Sequence, residues 1–386
     1  MNPILEAIRI SYGLPALEKA TWDFDGYVKA FEQAGGLLAI AREQASYGHL
    51  TVEEGREIAL AALERYDAIP ESTDLLPQEI LTNLAKSVPD ALKGLTSLFL
   101  ERHLAFAQEQ IFREADAPTR DKIIALLESG ISSCYKRGEL LSALAWIGDE
   151  TVQVQFQHWR TVPPAWQTAM HYPPEHYVKN GGWELTPEGA RRNLYYSVNY
   201  DLVEAQTFSA EVQSSPVEVL TPHEGVCGWC VMPLLTLFDI NLTDSRMRFL
   251  GIQGTRLRLA LCPNCSLQAE PVFTEVDGEG TSVWSKLNGK AQGYLSIPDE
   301  DESEELLETF PQQTLVLGPA RRTPYIDHGS HLGGCPSWVQ NADYPCCLRC
   351  QRLMTFVGQY LYNVEAYIYA FLCASCGIAA TNYQQT

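Results

Sequence analysis

Basic residues are scarce in this sequence of 386 residues. It holds 28 lysines and arginines against 48 aspartates and glutamates, which gives a formal net charge of −20. Proteins that bind nucleic acid gain much of their affinity by neutralising phosphates with basic side chains, so this balance argues against a nucleic-acid partner. An acidic surface favours encounter with basic proteins instead. The alternative interpretation is that the acidity only maintains solubility.

Long apolar segments are also absent. The sequence has no run of about 18 uncharged apolar residues, so no membrane span and no membrane partner are predicted. Its first residues, MNPILEAIRISYGL, lack the basic region and apolar block of a secretory signal. We therefore expect a cytoplasmic protein whose eleven cysteines are reduced thiols. In that setting, cysteines paired at short spacing more often bind metal than form disulfides.

The sequence also lacks the common catalytic motifs. It has no GxSxG, no phosphate-binding glycine loop, no HExxH and no GxGxxG after a predicted strand. Four residues can form an acid–base cluster: His158, His171, Glu175 and His176. Histidines among Trp, Tyr and Pro are more often hydrogen-bonded surface groups. We therefore predict no catalytic residue and no enzyme, with a metal-dependent enzyme as an alternative.

Residues 1–200 have the pattern of helices. The segment TVEEGREIALAALERYDAI begins with Thr51 and has Glu54 three residues later, which is a capping box before an apolar stripe. Gly148 is predicted to end one helix, and Asp149 to cap the next. Two helices joined at a Gly-Asp turn resemble a HEAT-type repeat, so we predict a HEAT-like helical domain over 1–200. The alternative is an irregular helical bundle.

Residues 205–386 have the pattern of strands. Their apolar runs are short, rich in β-branched and aromatic residues, and bounded by Gly, Pro, Asn and Asp. The fold class predicted for the whole chain is therefore α+β. An acidic run at 298–308 is predicted to be a solvated loop or a short exposed helix. Alternatively, it is an interaction surface for a basic partner.

Eight cysteines form two sets, each with the pattern CxxC…CxxC. A CxxC turn lets two thiolates bind one ion, and two such turns supply the four sulfurs of a tetrahedral zinc site. We therefore predict two structural Zn²⁺ ions. The predicted ligands are Cys227, Cys230, Cys262 and Cys265 for the first ion, and Cys347, Cys350, Cys373 and Cys376 for the second.

The two sets also resemble each other in their flanking apolar strands. This indicates tandem four-cysteine zinc ribbons, with the first at 222–270, the second at 342–380 and an insert in the hairpin loop of the first. Cross-pairing of the cysteines between the copies stays open. Cys346 is an alternative ligand beside Cys347, but the spacing to Cys350 favours Cys347. His328, His331 and Cys335 leave room for a third site, although such residues are more often packed loop groups.

The C-terminal region resembles a known family. The stretch HLGGCPSWVQNADYPCCLRCQRLMTFVGQYL follows the pattern GG-x-P-x-W-x-Q…C-x-x-C…M-x-F-x-x-Q of the YwqG-like bacterial family of unknown function. The resemblance covers residues 319–386 well and residues 205–318 loosely. The C-terminal domain of the programmed-cell-death-protein-two family is distantly similar. The matching residues outside the cysteines are Gly333, Gly334, Pro336, Trp338, Gln340, Met354, Phe356 and Gln359.

The resemblance implies a cytosolic partner of another protein. Some bacterial proteins of this kind resemble immunity proteins that neutralise antibacterial toxins. We therefore expect a non-catalytic, zinc-stabilised protein that binds a toxin domain, which is expected to be basic. The alternative is a chaperone or adaptor for a basic client such as a ribosomal protein. Eight tryptophans and eighteen tyrosines suit a contact surface.

Overall fold

The chain divides into two compact units, Met1–Gly181 and Gly182–Thr386. Sequence reasoning placed this boundary at 200–205. The earlier boundary arises because residues from Trp183 onward already form strands, and the strand Tyr196–Glu204 pairs with two strands from the C-terminal part. The structure is a computed structural model that describes residues 47, 50–68, 76–102, 109–129, 134–205, 215–268, 271–291, 293, 295–310, 314–321, 323–325, 329–363 and 366–385.

The described part of the first unit is helical, as predicted; residues 1–46 of the predicted helical domain lie outside it. Its α-helices are α1 (Val52–Ala68), α2 (Leu76–Ser87), α3 (Thr96–Glu101), α4 (Ala117–Glu128), α5 (Cys134–Ile147) and α6 (Glu150–Thr161). Short 3₁₀ helices are Pro89–Leu92, Glu109–Phe112, Ala165–Ala169 and Pro174–Gly181.

The helix ends follow the capping residues of the sequence. At α1, the Glu54 N–H donates to Thr51 Oγ1 over 3.2 Å and the Thr51 N–H donates to Glu54 Oε2 over 2.9 Å, which completes the predicted capping box. Gly148, with φ of 52°, follows the end of α5. Asp149 then accepts the Val152 N–H over 2.9 Å at the start of α6. The predicted helix–turn–helix is confirmed.

The described part of the second unit forms three antiparallel sheets. The strands are β1 (Trp183–Leu185), β2 (Arg191–Asn193), β3 (Tyr196–Glu204), β4 (Val217–Val226), β5 (Pro233–Asn241), β6 (Arg256–Leu261), β7 (Val272–Val276), β8 (Ser282–Trp284), β9 (Leu315–Ala320), β10 (His331–Gly334), β11 (Thr355–Asn363), β12 (Ala366–Cys373) and β13 (Ile378–Gln385). The largest sheet has the strand order β8-β7-β13-β12-β11-β10-β3-β9; β4-β5-β6 form a second sheet and β1-β2 a third. The helices are α7 (Cys265–Gln268) and α8 (Glu300–Glu308), with 3₁₀ helices Ser245–Leu250 and Lys286–Asn288.

Strand β12 is buried along its whole length. Its side chains alternate between two core clusters, so Ile368 and Ala370 pack in one, while Tyr369, Phe371 and Cys373 pack in the other. This explains why the sequence AYIYAFLC is uniformly apolar although it is a single strand. The alternation also places Cys373 on the same face as Cys347, within the second core cluster.

Two hairpins repeat the same arrangement. In the first, a CxxC turn precedes β5 and another follows β6; in the second, one precedes β11 and another follows β12. The connection from β5 to β6 runs over residues 242–255 and contains a 3₁₀ helix, whereas only two residues separate β11 from β12. The insert therefore lies in the hairpin loop of the first copy. No helix among the described residues is long and apolar enough to cross a membrane.

Candidate metal centres

The first four cysteine sulfurs lie together at the end of the β5–β6 hairpin. Cys227 Sγ is 3.7 Å from Cys265 Sγ, Cys230 Sγ is 3.4 Å from Cys262 Sγ, and all four sulfurs lie within 4.8 Å of one another. A disulfide would require about 2.05 Å. Four sulfurs placed tetrahedrally at about 2.3 Å from an ion are separated by about 3.8 Å. The geometry therefore suits one tetrahedral ion.

The second set forms an equivalent cluster. Its four sulfurs also lie within 4.8 Å of one another, and Cys350 Sγ is 3.7 Å from Cys373 Sγ. The structure thus brings each set together within its own copy, rather than across the two copies. Cys346 belongs to neither group, and its side chain is exposed. Arg349 braces the two turns, because its Nη1 donates to the Cys376 carbonyl over 2.7 Å.

The first CxxC turn of each cluster has the same backbone geometry. In the first cluster the Val231 N–H donates to the Cys227 carbonyl over 3.0 Å. In the second, the Gln351 N–H donates to the Cys347 carbonyl over 2.9 Å. In both turns the residue that follows the second cysteine of the CxxC motif has a left-handed backbone, with φ of 65° at Val231 and 58° at Gln351. This shared geometry supports a duplicated metal-binding turn.

Backbone amides also point at sulfurs in the first cluster. The Trp229 N–H lies 3.4 Å from Cys227 Sγ, and the Cys265 N–H lies 3.2 Å from Cys262 Sγ. Such contacts stabilise thiolates, which are the form of cysteine that binds metal. The amide donors come from the CxxC turns themselves, so the short spacing in the sequence produces them directly.

The left-handed conformation of Val231 is expected to cost stability. A β-branched residue at positive φ is strained by about 1–3 kcal/mol, whereas Asn tolerates this region. Because Val231 is exposed, Val231→Asn loses little burial. We expect it to raise the free energy of unfolding of the protein by about 1 kcal/mol, measured by urea denaturation. Gln351→Asn is the matched control, with a smaller gain because Gln is unbranched at Cβ. Destabilisation by Val231→Asn would contradict the strain.

The first cluster is sealed from solvent. Its four cysteines are all buried, and Trp229 and Trp284 pack against them with their ring centroids 5.1 Å apart. Gly228 makes this packing possible, because a Cβ atom there would lie 2.3 Å from the Trp284 indole nitrogen. Trp229 Nε1 donates to the Gly289 carbonyl over 3.2 Å and ties the cover to the following loop.

The second cluster is partly open. Cys347 is fully buried and Cys373 is 9% exposed, whereas Cys350 is exposed and Cys376 is partly exposed. Burial raises the pKa of the Cys347 thiol to about 12. The pKa of Cys350 is lowered to about 7, chiefly because the Arg352 backbone N–H donates to its sulfur. Of these two sulfurs, that of the exposed Cys350 therefore ionises more easily than that of the buried Cys347.

The pKa values of the thiols in the first cluster indicate that a cation is required for all four to ionise. The pKa of Cys230 lies well below its usual value, because Cys227, Cys262 and Cys265 stabilise its thiolate by hydrogen bonding. The pKa of Cys265 is raised for the complementary reason, since the contacts with Cys227 favour its protonated form. Four adjacent thiols cannot all ionise without a cation among them. This donor set fits a divalent metal ion.

An acidic helix covers one side of the first cluster. The acidic run forms α8, which begins with a capping box between Asp299 and Glu302. Leu306 and Leu307 pack against the core cluster that contains the four cysteines, whereas the carboxylates face solvent. The exposed acidic residues are Asp299, Glu300, Asp301, Glu302, Glu304, Glu305 and Glu308.

Exposed apolar side chains occur near the same cluster. In the described part of the second unit, the large hydrophobic residues that are exposed all lie between residues 226 and 297. They are Val226, Val231, Val283, Leu287 and Ile297. Val226 and Val231 flank the first CxxC turn, and Ser296, beside Ile297, accepts a hydrogen bond from Asn264 of the second turn. Sequence reasoning did not find this surface, since periodicity does not show which apolar residues stay exposed.

The remaining candidates do not form a further metal group among the described residues. His331 and Cys335 are both buried and belong to neither cluster, while His328 lies outside the described residues. Burial lowers the pKa of His331 to about 3, and its Nδ1 lies 2.9 Å from the Gly333 carbonyl oxygen. A packed, neutral histidine is the simplest account of this residue.

The proposed acid–base residues are placed differently from one another. His176 stacks on Tyr172 with ring centroids 4.0 Å apart, and burial lowers the pKa of His176 to about 4. His158 and His171 are exposed. At neutral pH the His176 ring is therefore uncharged and held by stacking, which suits a structural contact better than proton transfer.

The residues of the GG-x-P-x-W motif have clear structural roles. Gly333 and Gly334 have φ of 72° and 69°, and a Cβ atom at Gly333 would lie 2.2 Å from the Val198 carbonyl oxygen. Only glycine fits this bulge between β10 and β3. Trp338 packs against Tyr369 and Tyr344, with centroids 4.8 and 5.1 Å away.

The glutamines of the motif hold loops to the sheet. Gln359 Oε1 accepts the Ser337 N–H over 2.8 Å, and Gln359 Nε2 donates to the Gly329 carbonyl over 3.0 Å. Gln340 Nε2 donates to the Gln385 carbonyl over 2.8 Å. These bonds anchor the segment that leads into the CxxC turn at Cys347, which is the first turn of the second cluster.

Comparison with known proteins identifies a relative of nearly the same extent. The chain is 32% identical over 354 residues to YpfL, an uncharacterized protein of Salmonella typhimurium, with 88% of this chain and 79% of YpfL covered. The chain belongs to the YpfL family. No family model matches it, and no solved structure matches it. Membership of the YpfL family therefore assigns no activity to the chain.

Proposed function

We propose that each cysteine cluster holds one structural Zn²⁺ ion. The observation that carries this is the tetrahedral spacing of four sulfurs in each copy. All-cysteine sites of this geometry are typical of structural zinc, which has no open coordination position. When bound, the ions would join the two CxxC turns of each hairpin and contribute to the folding of the second unit.

We infer that the protein acts by binding another protein, without catalysis. The support comes from the surface around the first cluster, where exposed apolar side chains lie near the acidic face of α8. Such a combination suits a partner that offers apolar anchors beside basic side chains. The net charge of −20 would speed its approach.

The partner we propose is a toxin domain, which this protein would inhibit as an immunity-type protein in the cytoplasm. The support for this partner is the YwqG-like resemblance together with the acidic charge. A chaperone or adaptor for a basic client such as a ribosomal protein is the second candidate, favoured by the same acidic helix. A metal-dependent enzyme is disfavoured, because a four-thiolate site leaves no position for water or substrate.

Charge steering by α8 gives a test of this proposal. The probe is the product of the gene directly upstream, where an immunity-type function predicts a toxin gene, with binding followed by stopped-flow or surface plasmon resonance. Substituting glutamine for Glu304, Glu305 and Glu308 is expected to slow association several-fold and to change dissociation less than about twofold. These carboxylates lie towards the C-terminus of α8, where the helix dipole disfavours them, so the helix should persist.

The matched control removes three charges from another exposed helix. Glutamine at Glu53, Glu57 and Glu64 of α1 removes the same number of negative charges but should change the association rate less. Raising the salt concentration should slow association of the unmodified protein, because charges more than about 10 Å apart are screened at 0.1 M. If neither salt nor the α8 substitutions changed the association rate, the hypothesis of charge steering would be rejected. An absence of binding would reject the toxin partner itself.

A further inference from the structure

A charged residue occupies the core-facing stripe of helix α5. Leu141 and Leu144 of this helix are fully buried, and Arg137 lies four residues before Leu141 on the same face. Only 6% of Arg137 is exposed. The helical period thus assigns a core position to Arg137, where an apolar residue would normally stand.

Arg137 has no charged or hydrogen-bonding partner among the described residues. Its guanidinium lies 5.9 Å from the centroid of the Trp166 ring, and its buried Nε–H has no acceptor. A buried charge is normally paired, because removing it from water without a partner is strongly unfavourable. By contrast, Arg120 of helix α4 is held by Asp149 over 2.6 Å and by Asp121 over 2.8 Å.

Trp166 supplies a second unused donor at the same place. Its Nε1–H is buried without an acceptor, although the ring stands 5.6 Å from Trp159 in an edge-to-face contact. Trp159 itself donates its Nε1–H to Glu128 over 2.7 Å. A buried indole N–H usually finds a partner, so the unused group of Trp166 is informative. Arg137 and Trp166 therefore present donors with nothing to receive them.

We propose that Arg137 and Trp166 form a binding site for the carboxylate group of a ligand. A guanidinium presents parallel N–H groups that match the two oxygens of a carboxylate, and the indole N–H adds a third donor. One guanidinium balances one negative charge, which favours a carboxylate over a doubly charged phosphate. The site lies wholly in the first unit, so it is separate from both cysteine clusters.

An internal carboxylate is the competing occupant. Glu175 lies in the 3₁₀ helix Pro174–Gly181, and its Oε2 is buried without a donor. This helix packs against α5, since Asn180 Nδ2 donates to Ser142 Oγ over 2.7 Å. If Glu175 rotated onto Arg137, no external ligand would be needed. The experiment therefore includes Glu175→Gln.

The test uses the full-length protein with sodium acetate as the probe. Acetate at 50 mM, against sodium chloride at equal ionic strength, is expected to raise Tm by a few degrees. It should also shift the Arg137 Nε–H resonance in ¹⁵N NMR spectra, assigned from the spectrum of Arg137→Lys. Arg137→Met and Trp166→Phe should abolish or weaken the Tm response. In chloride, Arg137→Met should not lower Tm, whereas the control Arg120→Met should.

Each alternative outcome is decisive. A larger response to sodium phosphate than to acetate would overturn the carboxylate assignment. No response in the unmodified protein, together with a response that appears in Glu175→Gln, would identify Glu175 as the internal partner and overturn the ligand site. An Arg137 Nε–H resonance indifferent to every anion in both proteins would overturn it as well.

Discussion

Replacing Cys347 with serine is expected to unfold the second cysteine cluster and much of the sheet around it, whereas replacing Cys346 should leave both intact. Cys347 is fully buried, lies in the core with Phe371 and Cys373, and contributes one of the four clustered sulfurs. Structural zinc supplies on the order of 10–16 kcal/mol of apparent binding energy to folding, and a three-thiolate site would forfeit much of it. Cys346 is exposed and lies outside the cluster.

Cys346 is a well-matched control for Cys347 because the two residues are adjacent. Both substitutions change one sulfur to one oxygen, and they differ in sequence position by a single residue. Near-UV circular dichroism and zinc content would report the outcome, with loss of about one zinc per chain for Cys347→Ser alone. Equal effects of the two substitutions would show that the register of the second site is wrong.

Local signals in the sequence predicted local features of the structure well. The capping box at Thr51 and the turn at Gly148 and Asp149 appear as expected, since such residues satisfy backbone groups within a few positions. The CxxC turns are equally local, because their backbone hydrogen bonds span only four or five residues. Spacing therefore predicted the four CxxC turns, whereas only the structure shows that the turns pair within each copy rather than across the two copies.

Long-range features were harder to predict. The boundary at Gly181 depends on β3 pairing with β9 and β10, which are more than 100 residues away in sequence. The difference in exposure between the clusters depends on Trp284 and α8, which lie outside the CxxC motifs. Arg137 was not singled out in the sequence, and its burial is seen only in the packing. Its i, i+4 spacing from Leu141 was the signal that could have revealed it.

The two cysteine clusters differ in solvent exposure, so they are expected to release metal at different rates. Purified protein is expected to contain two zinc ions per chain, and a chelator should remove them in two separate phases. Cys350 and Cys376 of the second cluster are accessible, so a chelator can attack there without prior unfolding. In the first cluster all four sulfurs are buried beneath Trp229 and Trp284, so release must await local opening. We expect the two rates to differ by more than about tenfold, which corresponds to about 1.4 kcal/mol of opening free energy.

The measurement is release of zinc to the coloured chelator 4-(2-pyridylazo)resorcinol, followed over time and calibrated by elemental analysis. Trp284→Ala removes part of the cover of the first cluster and should accelerate the slow phase specifically, because Trp284 packs against that cluster and Gly228. Cys350→Ser should remove the fast phase. A single phase that releases both ions would contradict the sealed and open sites, and a total of one zinc ion would show that only one cluster binds metal. If the slow phase proves insensitive to Trp284→Ala, the barrier must lie in the four buried sulfurs and their hairpin rather than in the tryptophan cover.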